Sequence, residues 1–432
     1  MKIYMIVLDG AADRKIKILG NKTPLEKAKT TALNQLAKNG QEAMIDVIGN
    51  EITPESDSGS MALLSYDPQI YYPGRGTLEG LGTGFIPIGY HYVAFRINFA
   101  SYEQDSGKLD RRTARGLSDE ELQELAKEIN EGVDLSKYQI NFKLLAFGHH
   151  RGILCFYSKE KPLSGNISNT DPGFKKDGVW GYPVSNYEQK PQKCYPLDDT
   201  EIAKFTANLV NEFEKQTSEI LIKSEINHKR IHNGKLPANY ILIRDGGSQP
   251  KQMPKFKEKF GLTLSMYGQL PAEKAIADLI GAQFTFSKSL DLQLDKQFLE
   301  NSAKRLIQDK ADVVFIHIKG PDEPGHDNEP FHKVEAIEFI DQYFFTNLLK
   351  EIQKDDIIIV TCDHATPCEL KLHSTDKVPV LMSGFNFEKD GSIRFDENTA
   401  QKGNCKIQKG IDIFPYLIKK LKENSNGKNK KS

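Results

Sequence analysis

Sulfur, indole and net charge are all scarce in this chain of 432 residues. It has 5 Cys, 7 Met and 1 Trp, and its 58 Lys and Arg against 59 Asp and Glu leave a formal net charge of −1. That balance removes the electrostatic case for nucleic acid or an anionic membrane as the main partner. The cysteines, at 155, 194, 362, 368 and 405, are odd in number and contain no CxxC pair. A disulfide framework and a thiolate metal site are therefore both excluded from the expectation, and a reducing cytoplasm fits best. Cys362 flanks a candidate ligand pair, yet reads as a small buried apolar residue. No apolar run is long enough to span a bilayer, and MKIYMIVLDG is too short for a signal peptide. What is present is an ordinary globular composition, 38% hydrophobic and 27% charged.

The stretch around which the rest is organised runs from 312 to 373, DVVFIHIKGPDEPGHD and then DIIIVTCDHATPCELKLHS. Each half opens on a β-branched run, Val313 to Ile316 and Ile357 to Val360, too short for a helix and suited to a strand buried on both faces. Each run then ends in metal-type ligands: Asp322 and His326 in the first, Asp363 and His364 in the second, with His373 following. Carboxylates mixed with imidazoles at the carboxyl ends of parallel strands suit divalent transition ions, and two such groups suggest two ions. His317 and His332, each taken alone, read as hydrogen-bonded histidines without a ligand role.

From the N-terminus, IYMIVL (3–8) reads as a buried strand stopped at Asp9-Gly10, which places an acid where α/β sheets bind ligands, or leaves it a simple cap. Residues 24–39 carry the spacing of one helix, stopped at Gly40. In TPESDSGSMALLSYDP, Ser56 precedes a helix, where free N–H groups and the dipole suit anion chemistry; an N-cap role competes with that reading. Beyond residue 80 the pattern changes. Segments 119–132 and 198–217 predict helices, 134–158 a hairpin with His149, His150 and Arg151 at its tip, and 160–195 a long loop. The α/β rhythm resumes near 251 with a strand at 261–268, helices near 270–282 and 294–310, and one amphipathic helix over 333–353. The expected organisation is a core of 1–80 and 251–425, an inserted domain of 81–250 and a flexible tail at 426–432.

Taken in order, D9-G10, S56-D57, D322xxxH326, D363-H364 and H373 resemble the metallo-site of the alkaline phosphatase superfamily. The chain is similar, nearly end to end, to archaeal-type cofactor-independent phosphoglycerate mutases. GNKTPLEKAKTTALNQLAKNG, ITPESDSGSMALLSYDPQIYYPGRG, YVAFRINFAS, PLSGNISNTDP, HIKGPDEPGHD and TCDHATPCELKLHSTDKVPVLM carry that resemblance.

It implies an α/β core with a mainly parallel sheet, an inserted α+β substrate-binding domain that closes over it, and interconversion of 3- and 2-phosphoglycerate. It implies Ser56 as the phosphoryl acceptor, with Asp9, Asp363 and His364 completing that metal's shell, and Asp322, His326 and His373 holding a second. Lys274 falls where the family has a lysine near the phosphoryl group, and Arg244 resembles an arginine that grips phosphoglycerate. Arg96 and Arg151, with the arginines at 111 and 112, would favour the same carboxylate. The ions would be manganese first, with zinc, cobalt or magnesium as alternatives, and no 2,3-bisphosphoglycerate. A phosphatase, phosphodiesterase or other phosphomutase of the superfamily is the competing activity. The serine loop departs from relatives, which usually carry a small residue where this chain has Glu55 and Thr where it has Ser58. Nothing in the sequence selects a monomer over a homo-oligomer.

Overall fold

The computed structural model describes every residue except 50, 88, 104, 112–115, 185, 288–294, 385–386 and 429–432. The chain divides into two compact units, Met1–Tyr71 with Gln252–Ser432, and Tyr72–Lys251.

The first unit is built on a sheet of seven strands in the order Gln283–Phe286, Leu264–Gly268, Val313–Ile318, Ile3–Leu8, Ile357–Thr361, Val378–Gly384, Gly40–Ile45. The first five run parallel, and Val378–Gly384 is antiparallel to both of its neighbours. The three central strands are buried along their whole length, as expected for a parallel sheet covered on both faces. Each buried Ile or Val there contributes roughly 1.5–3 kcal/mol of transfer free energy.

The second unit is an antiparallel sheet. His91–Glu103 is its long axis, pairing with Lys108–Asp110, Arg151–Ser158 and Tyr240–Ser248, while Asn141–Phe147 pairs with Arg151–Ser158. Helices Asp119–Gly132 and Glu201–Ile222 contribute to its core through Leu122, Leu125, Ile129, Leu209, Val210 and Phe213.

Four expectations need correcting. The single helix over 24–39 is two helices, Pro24–Lys27 and Thr31–Ala37. Buried Asp341 accepts from the N–H groups of Ala32 and Leu33 at 3.1 and 2.8 Å, so a distant carboxylate caps the second helix and makes continuity unnecessary. The same Asp341 opens a widened π turn, Asp341–Phe345, that divides the expected 333–353 helix into Pro330–Ile340 and Thr346–Glu351. The 160–195 loop contains a small hairpin, Phe174–Asp177 with Trp180–Pro183, turning at Gly178 with φ +57°. The C-terminal helix runs from Ile413 to Lys428, further into the expected tail than composition suggests.

Candidate active site

The register of the parallel strands assembles the site. Leu8 stands beside Ile318 and Val7 beside Thr361, so Asp9, Lys319 and Asp363 all leave the sheet at the carboxyl end of its central strands. Gly10 follows at φ +57°, where a Cβ would come within 2.5 Å of both Asp322 Oδ1 and Thr366 Oγ1, so only glycine fits this turn. Ser56 is the first residue of helix Ser56–Leu63, with Glu55 in the cap position, its N–H donating to Ser58 Oγ at 3.0 Å. Ser56 is thus not the cap. Its hydroxyl instead lies 3.3 Å from Asp9 Oδ1, 3.3 Å from Lys319 Nζ and 3.4 Å from His364 Nε2.

Two groups of donor atoms result. In the first, Asp9 Oδ1 is 3.3 Å from His364 Nε2 and 3.4 Å from His317 Nε2, while Asp363 Oδ2 is 3.2 Å from His364 Nε2 and 3.1 Å from His317 Nε2. In the second, His326 Nε2 is 3.4 Å from Asp322 Oδ2 and 3.1 Å from His373 Nε2, and His373 Nε2 is 3.5 Å from Asp322 Oδ1. Ligands bound to one ion at about 2.0–2.2 Å stand about 3.0–3.5 Å from one another, and these spacings match. Asp363 Oδ2, His317 Nε2 and His373 Nδ1 are buried with no hydrogen-bond partner. Buried polar atoms are rarely left so, and the donor set of carboxylate oxygen, imidazole nitrogen and hydroxyl fits divalent ions.

The surrounding residues hold these donors in place. Thr366 Oγ1 donates to Asp322 Oδ1 at 2.6 Å, and the backbone carbonyl of Lys371 lies 2.9 Å from His326 Nδ1. The buried Lys333 ammonium ties the two flanking loops together, donating to Asp13 Oδ2 at 2.9 Å and to the carbonyl of Thr366 at 2.8 Å.

Electrostatics follow from this crowding in the metal-free protein. Burial alone would raise the Asp9 carboxyl, but Lys319 and His317 outweigh it and hold it well below its usual value. Burial likewise opposes protonation of His364, and Asp363 overrides it, taking the imidazole up to about 10. His373 rises to about 9 against burial and the neighbouring His364, through Glu55 and Asp322.

Lys319 and Glu273 join the site without having been expected there, and His317, expected to be only a hydrogen-bonded histidine, stands within the first donor group. Lys319 Nζ lies 2.7 Å from Asp9 Oδ2 as well as beside Ser56. It sits inside HIKGPDEPGHD, and its place directly after a strand that ends in ligands was the available signal. Lys274, the expected lysine, pairs with Asp278 at 2.6 Å on the outer side of helix Pro271–Ile280. The reason is helical phase: Glu273 takes the inward position, fully buried, and the next residue turns away.

In the second unit Arg96 and Arg244 are direct cross-strand partners. Like charges facing one another on a sheet are unfavourable unless something offsets them. Glu79 lies 3.0 Å from Arg75 and 3.3 Å from Arg96, and Asp245 lies 3.8 Å from Arg96 and 3.6 Å from Arg244. The Arg244 guanidinium stacks 3.8 Å over Phe174, and burial lowers its pKa to about 10. Arg111 pairs with Asp171 at 2.7 Å. Arg151 opens its strand and is exposed, whereas Arg112 lies outside the described residues.

A mainly parallel α/β sheet whose carboxyl end gathers carboxylates, imidazoles, an ammonium and a serine hydroxyl has the make-up of a metal-binding phosphoryl-transfer site. A family model of 2,3-bisphosphoglycerate-independent phosphoglycerate mutase matches residues 37–227. The chain is 35% identical over 430 residues to the mutase of that name from Aeropyrum pernix, covering 98% of this chain and 100% of the relative. To the one from Pyrococcus furiosus it is 34% identical over 420 residues, with 96% of each covered. Among solved structures it is similar to a Pyrococcus horikoshii protein, with TM-score 0.77, 29% identity, and 97% and 96% of the two chains covered. It is also similar to the cofactor-independent phosphoglycerate mutase of Thermoplasma acidophilum, with TM-score 0.61, 29% identity, and 96% and 98% covered. The chain belongs to the family of 2,3-bisphosphoglycerate-independent phosphoglycerate mutases. Its activity is that of a phosphoglycerate mutase, and the hydrolytic alternatives are not favoured. Among the described residues no helix is long and apolar enough to cross a membrane.

Proposed function

We propose that the chain interconverts 3-phosphoglycerate and 2-phosphoglycerate through a phosphoserine at Ser56, with two divalent ions, manganese first among them, and without 2,3-bisphosphoglycerate. The observation that carries this reading is the placement of Ser56 Oγ, 3.3–3.4 Å from Asp9, Lys319 and His364 at the start of a helix. Asp9, Ser56, Asp363 and His364 would hold one ion, and Asp322, His326 and His373 the other. When bound, such ions lower the pKa of the serine hydroxyl and offset charge on the transferring phosphoryl group.

The chain's own groups do the rest. The Lys319 ammonium donates to Ser56 Oγ, which favours the ionised hydroxyl and then balances charge on the phosphoryl oxygens. The helix N-terminus at Ser56 adds a positive dipole end at the same point. Arg96, Arg151 and Arg244 hold the substrate carboxylate, so that glycerate stays bound while it turns and presents its other hydroxyl. A fixed carboxylate is what separates a mutase from a phosphatase, because a released glycerate leaves phosphoserine to water. Five buried, unpaired cysteines fit a cytoplasmic setting.

The test is an enolase-coupled assay on metal-stripped protein given 3-phosphoglycerate, with manganese, cobalt, magnesium or zinc added back and Ser56→Ala run alongside. Metal-dependent 2-phosphoglycerate formation without added 2,3-bisphosphoglycerate, absent in the variant, is the expected result. Metal-dependent release of free phosphate alone would move the chain to the hydrolases.

A further inference from the structure

We propose that His317 is a further nitrogen ligand of the ion held by Asp9 and Asp363, and that Glu273 is the positioning residue that aims it. The inference rests on the two-ion reading above and adds a donor to it. His317 closes the strand Val313–Ile318 from within, opposite Val7, with a completely buried imidazole.

Its two nitrogens have different surroundings. Nδ1 meets Glu273 Oε1 in a short contact, and Glu273 is itself fixed, its Oε2 accepting from the N–H groups of Gln269 and Leu270 at 2.8 Å each. Gly268 is needed for this approach, since a Cβ there would collide with Glu273 Oε2. A carboxylate acceptor at Nδ1 keeps the proton on that nitrogen, so that Nε2 is the nitrogen that would give up its proton to an ion, the arrangement by which ligating histidines are commonly oriented.

Nε2 points into the donor group. It is 3.4 Å from Asp9 Oδ1 and 3.1 Å from Asp363 Oδ2, yet neither Nε2 nor Asp363 Oδ2 has a hydrogen-bond partner. A histidine serving only as counter-ion would donate to one of those oxygens. Two atoms 3.1 Å apart without a hydrogen bond are spaced as neighbouring ligands of one ion. Lys319 does not compete for the position, because it takes the other Asp9 oxygen, Oδ2.

The experiment titrates metal-stripped full-length protein with cobalt(II), following the visible ligand-field bands and the affinity of each site by chelator competition, for wild type, His317→Gln and Glu273→Gln. Wild type is expected to bind two ions. In His317→Gln one site weakens by about 10- to 100-fold and its bands change, while the other site is untouched. Glu273→Gln weakens the same site by about tenfold with the bands preserved, since the imidazole remains a ligand with poorer aim. Glu273→Gln also carries the test if His317→Gln does not fold. Two unaltered sites in either folded variant would overturn the inference while leaving the two-ion reading intact. Failure of wild type to bind any ion would overturn both.

Discussion

The two units concentrate charge in opposite ways. In the first, acids and imidazoles converge from residues lying at or just beyond the ends of parallel strands, and Asp9, Asp363 and Asp322 crowd around histidines that burial alone would keep neutral. In the second, arginines stand within the strands themselves, Arg96 opposite Arg244, with Glu79, Asp171 and Asp245 offsetting their repulsion. Strand ends collect ligands for an ion because several short loops meet there. An antiparallel face suits a larger planar anion, because guanidinium groups on neighbouring strands present parallel donors. Under the proposed function, that contrast would assign phosphoryl transfer to the first cluster and carboxylate retention to the second.

The sharpest separation comes from Ser56→Ala, expected to lower kcat by at least about 10⁴-fold, since a removed nucleophile leaves only binding and electrostatics. Lys319→Ala is expected to cost about 10²- to 10³-fold, the scale of one lost charge-stabilising donor. Neither change should alter binding of phosphoglycerate by the arginines. Equilibrium dialysis of labelled substrate measures this, and loss of binding in Ser56→Ala would break the division.

A second separation uses pH. His364 and His373 titrate in the metal-free protein at about 10 and about 9, above the ordinary 6.5. Their contribution to metal-free stability is therefore complete below pH 6.5 and is lost as pH rises through 9 to 10. Each incoming ion must displace the proton of the histidine in its own group, so its affinity should rise by up to about tenfold per pH unit between about pH 6 and pH 8. Differential scanning fluorimetry with and without manganese should show the metal-induced increase in Tm growing over that range. An increase that shrank with pH would mean that these histidines are not ligands.

How much of this was legible in the sequence follows the same division. The β-branched runs at 313–316 and 357–360 announced buried strands, and ligands placed just after them announced a site, because strand termination and ligand placement are both local properties. Asp9, Asp322, His326, Asp363, His364 and His373 could be singled out on those grounds. Glu273 could not, because its partner His317 is 44 residues away and only packing of helix Pro271–Ile280 against the sheet joins them. The break at Ala28–Thr30 was hidden for the same reason, its cause being the carboxylate of Asp341. Arg96 and Arg244 carried no local signal of their own, since an arginine in a strand reads as a solvated face until its cross-strand neighbour is known.

The carboxylate side of the division is tested by Arg244→Lys. Lysine keeps the charge but loses the planar fork and much of the stacking on Phe174, so kcat/KM should fall by about 10- to 100-fold with metal affinity unchanged. Release of free phosphate should rise at the same time, as glycerate escapes more often before the phosphoryl group returns. A variant that lost metal affinity instead would show that the two clusters are not independent.

The smallest effect is expected at Lys274, where the family resemblance and the geometry disagree. Its ammonium pairs with Asp278 one helical turn away, at 2.6 Å, and both side chains are about a third exposed or more, 35% and 54%. An exposed i,i+4 pair of this kind contributes about 0.3–0.5 kcal/mol, screened further by salt. Lys274→Ala should therefore change kcat by less than about threefold and lower stability only slightly. The preceding Glu273 faces the donor group, so truncating Lys274 leaves the support of His317 in place. Steady-state kinetics of Lys274→Ala beside Lys319→Ala decides which lysine serves the phosphoryl group. A loss at Lys274 comparable to that at Lys319 would mean that substrate draws the helix-borne ammonium inward, and that both lysines share the charge Lys319 is here assigned.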